Sequence, residues 1–352
     1  MKAVDIKNGK GPATSLFIND ATPKPAPRAG EALVRVKAFG LNRMDLIQRE
    51  GHYPLPPQAP ATLGVEFSGT IESLGGGGDE AQQPTTESEG FRPGDAVFGL
   101  AYGGAYAQYI AVPTAMLLHK PAALSWEQAA AIPETWMTAT QALHIVGEFG
   151  SATADNNSSN KKKSVLWHAG ASGVSIAGIQ LSADAGAGAV YATCGSDEKC
   201  GFVERELGAT RAVNYRTTPR WDEAIREATG GAGVDLIVDF VGADYFERNA
   251  AVAGRDARWV LLGLLGGAQL PAGASLAPLL YKRVRIEGST LRSRDLAYQR
   301  ALRDRLAEYL PHFESGRLKV FVDAVLPMED IVKAHQLMEE NKTKGKIVCT
   351  VP

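Results

Sequence analysis

A run of small residues near the middle of the chain could bind an anion. Gly170-Ala171-Ser172-Gly173 follows the apolar stretch 165–167 and precedes a helical apolar pattern that continues to Leu181. Small residues at the start of a helix expose backbone N–H groups at the positive end of the helix dipole, where a pyrophosphate can bind. The pattern is typical of a dinucleotide-binding βαβ unit.

The same turn departs from the usual G-x-G-x-x-G spacing, since it reads G-A-S-G-V-S from Gly170 to Ser175. Ser172 and Ser175 stand where glycines allow close approach to the pyrophosphate and tight helix–strand packing. An ordinary strand-to-helix turn in an α/β protein is the alternative interpretation. The neighbouring elements have to decide between the two.

Strand and helix patterns alternate after the turn. The strand predicted at 189–193 is followed by further strands at 210–215, 234–242, 257–267 and 284–291, with helices predicted at 202–209 and 221–233. Strands joined through helices must run parallel in one sheet. The predicted fold class is therefore α/β, with a Rossmann doubly wound parallel sheet.

The chain before this region has the periodicity of strands. Residues 31–40 alternate between apolar and polar side chains, 63–75 predict a pair of strands, and 91–113 contain short strands punctuated by glycines. We therefore expect a β-rich domain over 1–125 and the dinucleotide-binding domain over 126–290.

The tail, 291–352, begins with one long helix predicted over 295–313 and ends with a strand, a helix and a strand. We expect it to return to the β-rich domain, with the active site in the cleft between the domains. Two polar stretches, 75–90 and 151–163, lack apolar periodicity and are predicted to be surface loops.

Composition excludes several classes of protein. The 352 residues suffice for two domains, and a net charge of −2 offers no basic field for nucleic acid or for a membrane surface. The sequence lacks a signal peptide and any run approaching about 18 apolar residues, so we expect a cytoplasmic protein. Cys194, Cys200 and Cys349 are too scattered for a disulfide framework, and Cys194 and Cys200 lack the spacing of a metal pair.

Several stretches together resemble the zinc-independent quinone oxidoreductases of the medium-chain dehydrogenase/reductase superfamily, and most closely the p53-inducible quinone oxidoreductase type. They include GLNRMDLIQREGHYPLPP (40–57), LGVEFSG (63–69), AAAIPETWMTATQALH (129–144), HAGASGVSIAGIQL (168–181), LRSRD (291–295) and NKTKGKIV (341–348). The resemblance covers nearly the whole chain apart from the two polar stretches. It implies that the β-rich domain is GroES-like and that the protein is a homodimer.

Zinc ligands are missing from the places where zinc-dependent relatives carry them. Those relatives use a Cys in the first loop and a His in a G-H-E motif, whereas this chain has Asn42 and Gly64-Val65-Glu66. Val65 cannot ligate a metal. Without a Lewis acid, reduction of a quinone or conjugated enone is easier than oxidation of an alcohol. We therefore expect no metal and a reductase.

The end of the second Rossmann strand indicates the cofactor. NAD-specific folds place an acidic residue there to bind the ribose hydroxyl, but this chain has Gly195. Ser196 and Lys199 supply a hydroxyl group and a cation suited to the extra phosphate of NADPH. Asp197 and Glu198 lie close by and could weaken that preference or serve as solvated helix-start acids.

The resemblance extends the cofactor site. Tyr215 matches a family tyrosine that contacts the same phosphate, and Asn341 and Lys344 stand near a position where the family often has an arginine. The full set of expected cofactor-binding residues is Gly170, Ala171, Ser172, Gly173, Val174, Gly195, Ser196, Lys199, Tyr215, Gly263, Leu264, Leu265, Leu291, Asn341 and Lys344.

Three residues are expected near the chemistry. Asn42 could orient the nicotinamide carboxamide or a substrate carbonyl, or could simply cap its loop. Tyr53 matches a family active-site tyrosine and could donate to the substrate oxygen or wall the pocket. Thr138 matches the family threonine that approaches the nicotinamide, with helix packing as the alternative. The proton donor, Tyr53 or water, stays open at this point.

The expected activity is NADPH-dependent reduction of quinones or similar activated carbonyl acceptors, by hydride or effectively by single electrons. One alternative is an enoyl or enone C=C reductase. Another is an NADPH-binding protein with little turnover, or an RNA-binding one, although the acidic balance argues against RNA. Homodimerisation is expected through pairing of the edge strand at 284–291, since that stretch is long, β-prone and otherwise unprotected.

Overall fold

The computed structural model describes residues 1–76, 89–150 and 163–352, so the two predicted surface loops fall largely outside the described residues. The chain forms two compact units. Unit 1 comprises Met1–Met137 and Arg292–Pro352, and unit 2 comprises Thr138–Leu291. The domain boundaries predicted at 125 and 290 remain predictions.

The strands of the described chain are numbered in sequence order. They are β1 Ala3–Ile6, β2 Leu16–Asn19, β3 Glu31–Gly40, β4 Glu66–Leu74, β5 Ala96–Leu100, β6 Tyr109–Pro113, β7 Leu117–His119, β8 Ser164–Trp167, β9 Ala189–Cys194, β10 Arg211–Asn214, β11 Val234–Asp239, β12 Ala253–Leu261, β13 Arg285–Gly288, β14 Val322–Pro327 and β15 Lys346–Thr350.

The helices are numbered in the same way. They are α1 Arg43–Arg49, α2 Trp126–Ala130, α3 Pro133–Thr140, α4 Gly173–Asp184, α5 Asp197–Leu207, α6 Trp221–Ala228, α7 Phe246–Val252, α8 Ala277–Lys282, α9 Leu296–Glu308, α10 Leu310–Glu314 and α11 Ile331–Glu339. A π-helical segment, Gln141–Val146, directly follows α3.

Unit 2 is built on a parallel sheet. Its strands lie in the order β10-β9-β8-β11-β12-β13, and every neighbouring pair is parallel. Chain order reverses between β8 and β11, which is the doubly wound arrangement. Large side chains on one side of the sheet form its core, among them Leu166, Trp221, Ile225 and Trp259. The predicted α/β Rossmann fold is confirmed.

Unit 1 is built on a mostly antiparallel sheet in the order β14-β15-β3-β4-β5-β7, with β6 also paired to β3. The apolar residues of β3 are buried, several of them at consecutive positions, and Phe39 stacks on Tyr106 with ring centroids 4.3 Å apart. The last strand, β15, pairs with β3 through Thr350 and Ala38. Residues from both ends of unit 1 therefore share one sheet.

Three details differ from the sequence predictions. The strand pair predicted over 63–75 is one continuous strand, β4, because no turn interrupts Glu66–Leu74. The helix predicted over 295–313 is divided into α9 and α10, where Pro311 removes an N–H donor from the helical ladder. Helices α7 and α8 were not predicted. Each has at most about two turns and shows too little apolar periodicity to be recognised.

Candidate functional site

The predicted phosphate-binding turn joins β8 to α4 in unit 2. Ser172 is the N-cap residue of α4, and its hydroxyl accepts a hydrogen bond from the Ser175 amide at 3.5 Å. Ala169 has a φ of 50°, a left-handed conformation uncommon outside glycine. Gly170 has no room for a side chain, because a Cβ atom there would lie 2.8 Å from the Ala192 Cβ. The turn thus leaves the first backbone N–H groups of α4 in a position to bind an anion.

Ser175 stands where the dinucleotide fingerprint has its last glycine. Its side chain is fully buried, and its hydroxyl donates a hydrogen bond to the His168 carbonyl at 2.7 Å. The His168 ring is itself held between the Thr193 hydroxyl at 2.9 Å and the Asn249 amide oxygen at 2.7 Å, and burial lowers its pKa. The helix therefore stays packed against β8 although a serine replaces the glycine.

Gly195 lies at the end of β9, in a corner closed by the residues that follow β10. A Cβ atom at Gly195 would lie 2.7 Å from the Tyr215 hydroxyl oxygen and 3.7 Å from Nε of Arg216. The Tyr215 amide donates to the Cys194 carbonyl at 3.0 Å, which keeps the tyrosine at this corner. An acidic side chain at Gly195 would require Tyr215 to move. Arg216 was missed as a candidate, although a basic residue directly after the third strand was visible in the sequence.

The start of α5 completes this corner. Ser196 is the N-cap residue, and its hydroxyl accepts a hydrogen bond from the Lys199 amide at 3.2 Å. Asp197, which could repel a phosphate, accepts a hydrogen bond from the Asn214 side chain at 2.8 Å. The structure thus brings Gly195, Ser196 and Tyr215 together and engages one of the two neighbouring acids with an asparagine.

The loop with the predicted cofactor-binding residues Gly263, Leu264 and Leu265 follows β12. The Leu265 amide donates to the Phe240 carbonyl at 3.0 Å, and a Cβ atom at Gly263 would lie 3.1 Å from that same oxygen. The side chains of Leu264 and Leu265 are 51% and 58% exposed. Leu291, by contrast, is buried. The loop backbone is therefore fixed, while two of its apolar side chains remain open to solvent in unit 2.

Thr138 lies in α3, where its hydroxyl is buried and has no hydrogen-bond partner among the described residues. The helix changes to π-helical geometry at Gln141, whose side-chain amide donates to the Thr290 carbonyl at 3.2 Å. Such π segments often occur at functional sites. The Thr138 hydroxyl is thus able to accept a new partner.

Unit 1 contains a buried cluster of charged residues around Glu66, at the start of β4. Glu66 Oε1 lies 2.6 Å from Nζ of Lys346 and accepts a hydrogen bond from Nδ2 of Asn42 at 2.9 Å. Glu66 Oε2 accepts from the Glu134 amide at 2.9 Å. Lys346 also donates to the Asn42 side-chain oxygen at 2.7 Å. We call Asn42, Glu66, Glu134 and Lys346 the Glu66 cluster.

Asn42 also begins α1, and its neighbours extend the cluster. Its backbone amide donates to Asp45 at 2.8 Å, and the same Asp45 oxygen accepts from the Tyr106 hydroxyl at 3.0 Å. Burial raises the pKa of Asp45 to about 6. The Asn42 side chain is thus held by Glu66 and Lys346, and both of its predicted roles, orienting a carbonyl group or capping its loop, remain predictions.

Glu134 is the partly exposed member of the cluster. Its carboxyl oxygen Oε2 is buried without a hydrogen-bond partner among the described residues. Burial, followed by the negative charge of Glu66, raises its pKa to about 8, although Lys346 and Arg292 oppose the shift. This carboxyl group is therefore largely protonated at neutral pH.

Tyr53 lies beside the cluster, below the guanidinium group of Arg292. The Arg292 carbon Cζ is 5.4 Å from the centroid of the Tyr53 ring. Arg292 is fixed by the hydrogen bonds that it donates to the Tyr102 carbonyl at 2.6 Å and to the Gln48 side chain at 2.8 Å. Burial and then the charge of Glu134 raise the pKa of Tyr53, so its hydroxyl stays neutral.

The remaining predicted residues, Asn341 and Lys344, lie between α11 and β15 in unit 1. Asn341 accepts a hydrogen bond from Arg43 at 2.5 Å, and the Lys344 amide donates to Asp323 at 3.1 Å. The other predicted cofactor-binding residues all lie in unit 2.

Sequence reasoning missed Glu66, Glu134, Arg292 and Lys346 as site residues. A signal was present, because Glu66 and Glu134 stand in the largely apolar stretches LGVEFSG and AAIPETWM. Acids in such stretches are rarely buried without a partner or a function. Within residues 1–76, 89–150 and 163–352, no group of three or more His, Cys, Asp or Glu side chains could hold a metal ion.

No helix in the described parts of the chain is long and apolar enough to cross a membrane.

Two family models match the chain. Residues 28–122 match the alcohol dehydrogenase GroES-like domain, and residues 173–308 match the family described as zinc-binding dehydrogenase. A crystal structure of an NAD-dependent alcohol dehydrogenase is similar at 33% identity, with a TM-score of 0.81 and all of both chains covered.

Two quinone reductase-type proteins are also similar. The Escherichia coli quinone oxidoreductase in complex with NADPH is 26% identical with a TM-score of 0.82, covering 99% of this chain and 100% of its own. The Bos taurus quinone oxidoreductase-like protein 2 is 28% identical, covering 96% of this chain and 89% of the relative. The predicted cofactor, NADPH, is the one bound in the Escherichia coli structure.

Proposed function

Because this chain belongs to the medium-chain dehydrogenase/reductase superfamily, we propose that it is a zinc-independent, NADPH-dependent reductase of quinones or similar activated carbonyl acceptors. The observation that carries the zinc-independent part of this proposal is the Lys346 ammonium group bound between Glu66 and Asn42. The p53-inducible type remains the subgroup that its sequence motifs resemble most.

The residues of the Glu66 cluster do not fit a zinc ion. Asn42 and Val65 stand at two positions where zinc-dependent relatives carry ligands, and Val65 has no donor atom. The Asn42 oxygen and Glu66 Oε1, which remain, both contact the Lys346 ammonium group at 2.7 Å and 2.6 Å. A second cation between them would be repelled at close range. The positive charge between Glu66 and Asn42 is therefore supplied by Lys346.

The corner at Gly195 fits NADPH. In this proposal the turn at 170–174 binds the pyrophosphate, and the corner of Ser196, Lys199 and Tyr215 binds the extra phosphate of the ribose. Because a Cβ atom at Gly195 would lie 2.7 Å from the Tyr215 hydroxyl oxygen, the acid that would favour NADH requires Tyr215 to move. Arg216, whose Nε lies 3.7 Å from the Gly195 Cβ position, adds a cation. Gly263, Leu264, Leu265, Leu291, Asn341 and Lys344 complete the proposed cofactor contacts.

The proposed catalytic residues orient the reactants. When bound, the cofactor supplies the hydride. Thr138 has a buried hydroxyl without a partner, which suits a contact with the nicotinamide. Tyr53 keeps a neutral hydroxyl that can donate to a substrate oxygen. Asn42 would act indirectly, because its side chain is hydrogen-bonded to Glu66 and Lys346 and orients them.

Steady-state oxidation of NADPH and NADH tests this function, with phenanthrenequinone, ortho-naphthoquinone and crotonyl-CoA as acceptors. We expect turnover of the quinones and a kcat/KM for NADPH at least about tenfold above that for NADH, since one charge-assisted contact supplies that preference. Turnover of crotonyl-CoA alone would indicate an enoyl reductase. Tight NADPH binding without turnover of any acceptor would indicate a binding protein. Equal kcat/KM values would overturn the cofactor assignment.

We further propose a homodimer in the cytoplasm. Strand β13 is the edge of the unit 2 sheet, and all of its residues are exposed. Leu280 and Tyr281 on the neighbouring helix α8 are 72% and 73% exposed. An open edge beside exposed apolar side chains favours pairing with a second copy. Light scattering should give twice the monomer mass, and the mass of a monomer would refute the dimer.

A further inference from the structure

One acidic group has no part in the function described so far. Glu134 is the second residue of α3, and its own backbone amide is bonded to Glu66. Its side chain is partly exposed, but the buried oxygen Oε2 has no hydrogen-bond partner among the described residues. A carboxyl group with one oxygen left unpaired inside the protein needs either a proton or a ligand.

The charges around Glu134 favour the proton. Glu66 on β4 and Asp45 on α1 face it with negative charge, while Lys346 on β15 and Arg292 face it with positive charge. Lys346 already lies 2.6 Å from Glu66, and Arg292 is bonded to Gln48 and Tyr102. Neither cation is within salt-bridge distance of the Glu134 carboxyl. Its pKa of about 8 follows from burial and from Glu66.

Tyr53, which the proposed function places at the substrate, is an electrostatic neighbour of this carboxyl group. The charge of Glu134 is one of the causes that raise the Tyr53 pKa, so the two side chains lie within electrostatic reach of each other. Arg292 lies over the Tyr53 ring and also acts on the charge of Glu134. The acid, the tyrosine and the arginine therefore form one group in unit 1.

We propose that the carboxylic acid of Glu134 supplies the proton consumed when the acceptor is reduced. This inference rests on the proposed reductase function and deepens it. The acceptor gains a hydride, which is two electrons and one hydrogen nucleus, and its oxygen becomes negative. The Glu134 O–H bond then breaks, and an O–H bond forms on the product. The carboxylate left behind faces Lys346 and Arg292 and regains a proton from solvent through its exposed side.

The test compares Glu134→Gln with Glu127→Gln. Glu127 is likewise the second residue of a helix in unit 1, α2, so both variants replace a glutamic acid by its amide at the same helical position. For Glu134→Gln we expect kcat with quinones to fall about a hundredfold with little change in the KM for NADPH. The wild-type kcat should fall as pH rises through about 8, and this alkaline limb should be absent from the variant's residual activity. Glu127→Gln should behave as wild type.

Two further measurements keep the outcome decisive. Infrared spectroscopy at neutral pH should show a protonated carboxyl band that Glu134→Gln lacks and Glu127→Gln retains. Glu134→Asp, which keeps a carboxyl group, should retain an alkaline limb. If the wild type reduces quinones and Glu134→Gln has the same kcat and pH profile, the role of Glu134 is overturned and the proposed function stands. The absence of the infrared band has the same consequence. A wild type that reduces no acceptor overturns the proposed function, a result visible before any variant is made.

Discussion

The two candidate sites are assembled in opposite ways. The turn and corner of unit 2 come from one stretch, 164–216, and their hydrogen bonds join near neighbours such as Ser172 with Ser175 and Ser196 with Lys199. The Glu66 cluster of unit 1 joins residues as far apart as Asn42 and Lys346, which are separated by 304 positions. A contiguous site can be recognised from a motif, whereas a dispersed site depends on the whole sheet that brings its members together.

The largest expected effect is at Lys346. Lys346→Met leaves Glu66 buried without its counter-charge, so we expect the free energy of unfolding to fall by about 3–5 kcal/mol. Urea denaturation measures it. Lys342→Met removes an exposed pair with Glu340 and should cost less than about 1 kcal/mol. Equal, small losses in both variants would show that the dispersed site does not depend on its central ion pair.

A substitution in the contiguous site of unit 2 should change the affinity for the cofactor. Gly195→Asp introduces a negative charge beside the proposed phosphate site and crowds Tyr215, so NADPH affinity should fall about ten- to hundredfold. Fluorescence titration with NADPH and NADH measures it. Gly195→Ala separates crowding from charge, since it should weaken both cofactors alike. An aspartate variant with an unchanged preference for NADPH would contradict the assignment of this corner.

The next effect is expected in the pH dependence of the free energy of unfolding, through Glu134 of the Glu66 cluster. A carboxyl whose folded pKa is raised binds its proton more tightly in the folded state, so stability falls as pH rises from its ordinary pKa of 4.5 to the folded value of about 8. Between those values wild type should lose stability that Glu134→Gln keeps, because the variant has no proton to release there. Denaturation curves at acidic and mildly alkaline pH measure the difference. Parallel pH profiles would mean that Glu134 is not perturbed.

The smallest effect is expected at Ser175. Ser175→Ala removes the hydrogen bond to the His168 carbonyl and should lower the free energy of unfolding by about 1 kcal/mol, with NADPH affinity nearly unchanged. The exposed Ser315→Ala is the control. A large loss of NADPH affinity in Ser175→Ala would show that this hydroxyl contacts the cofactor directly.

The sequence predicted the Rossmann sheet because each of its strands and most of its helices carry their own local periodicity. Helices α7 and α8 escaped prediction because they are short and are stabilised by packing on the sheet rather than by an amphipathic pattern. Asn42 was recognised from its motif, but its partner Lys346 stands in β15 and comes close only through the pairing of β15 with β3. The pKa of Glu134 likewise depends on Glu66, 68 positions earlier. Such neighbours cannot be found from spacing alone.

The pairing of β15 with β3 also sets an order of events during synthesis on the ribosome. Residues Thr138–Leu291 emerge before any part of Arg292–Pro352, so unit 2 is complete while unit 1 still lacks its last strand. Until then Glu66 has no Lys346, and the exposed edge of β3 is open to wrong partners. We expect nascent chains halted before residue 346 to protect the Rossmann sheet from proteolysis and to leave the first 137 residues sensitive, a vulnerable interval that chaperones would have to cover.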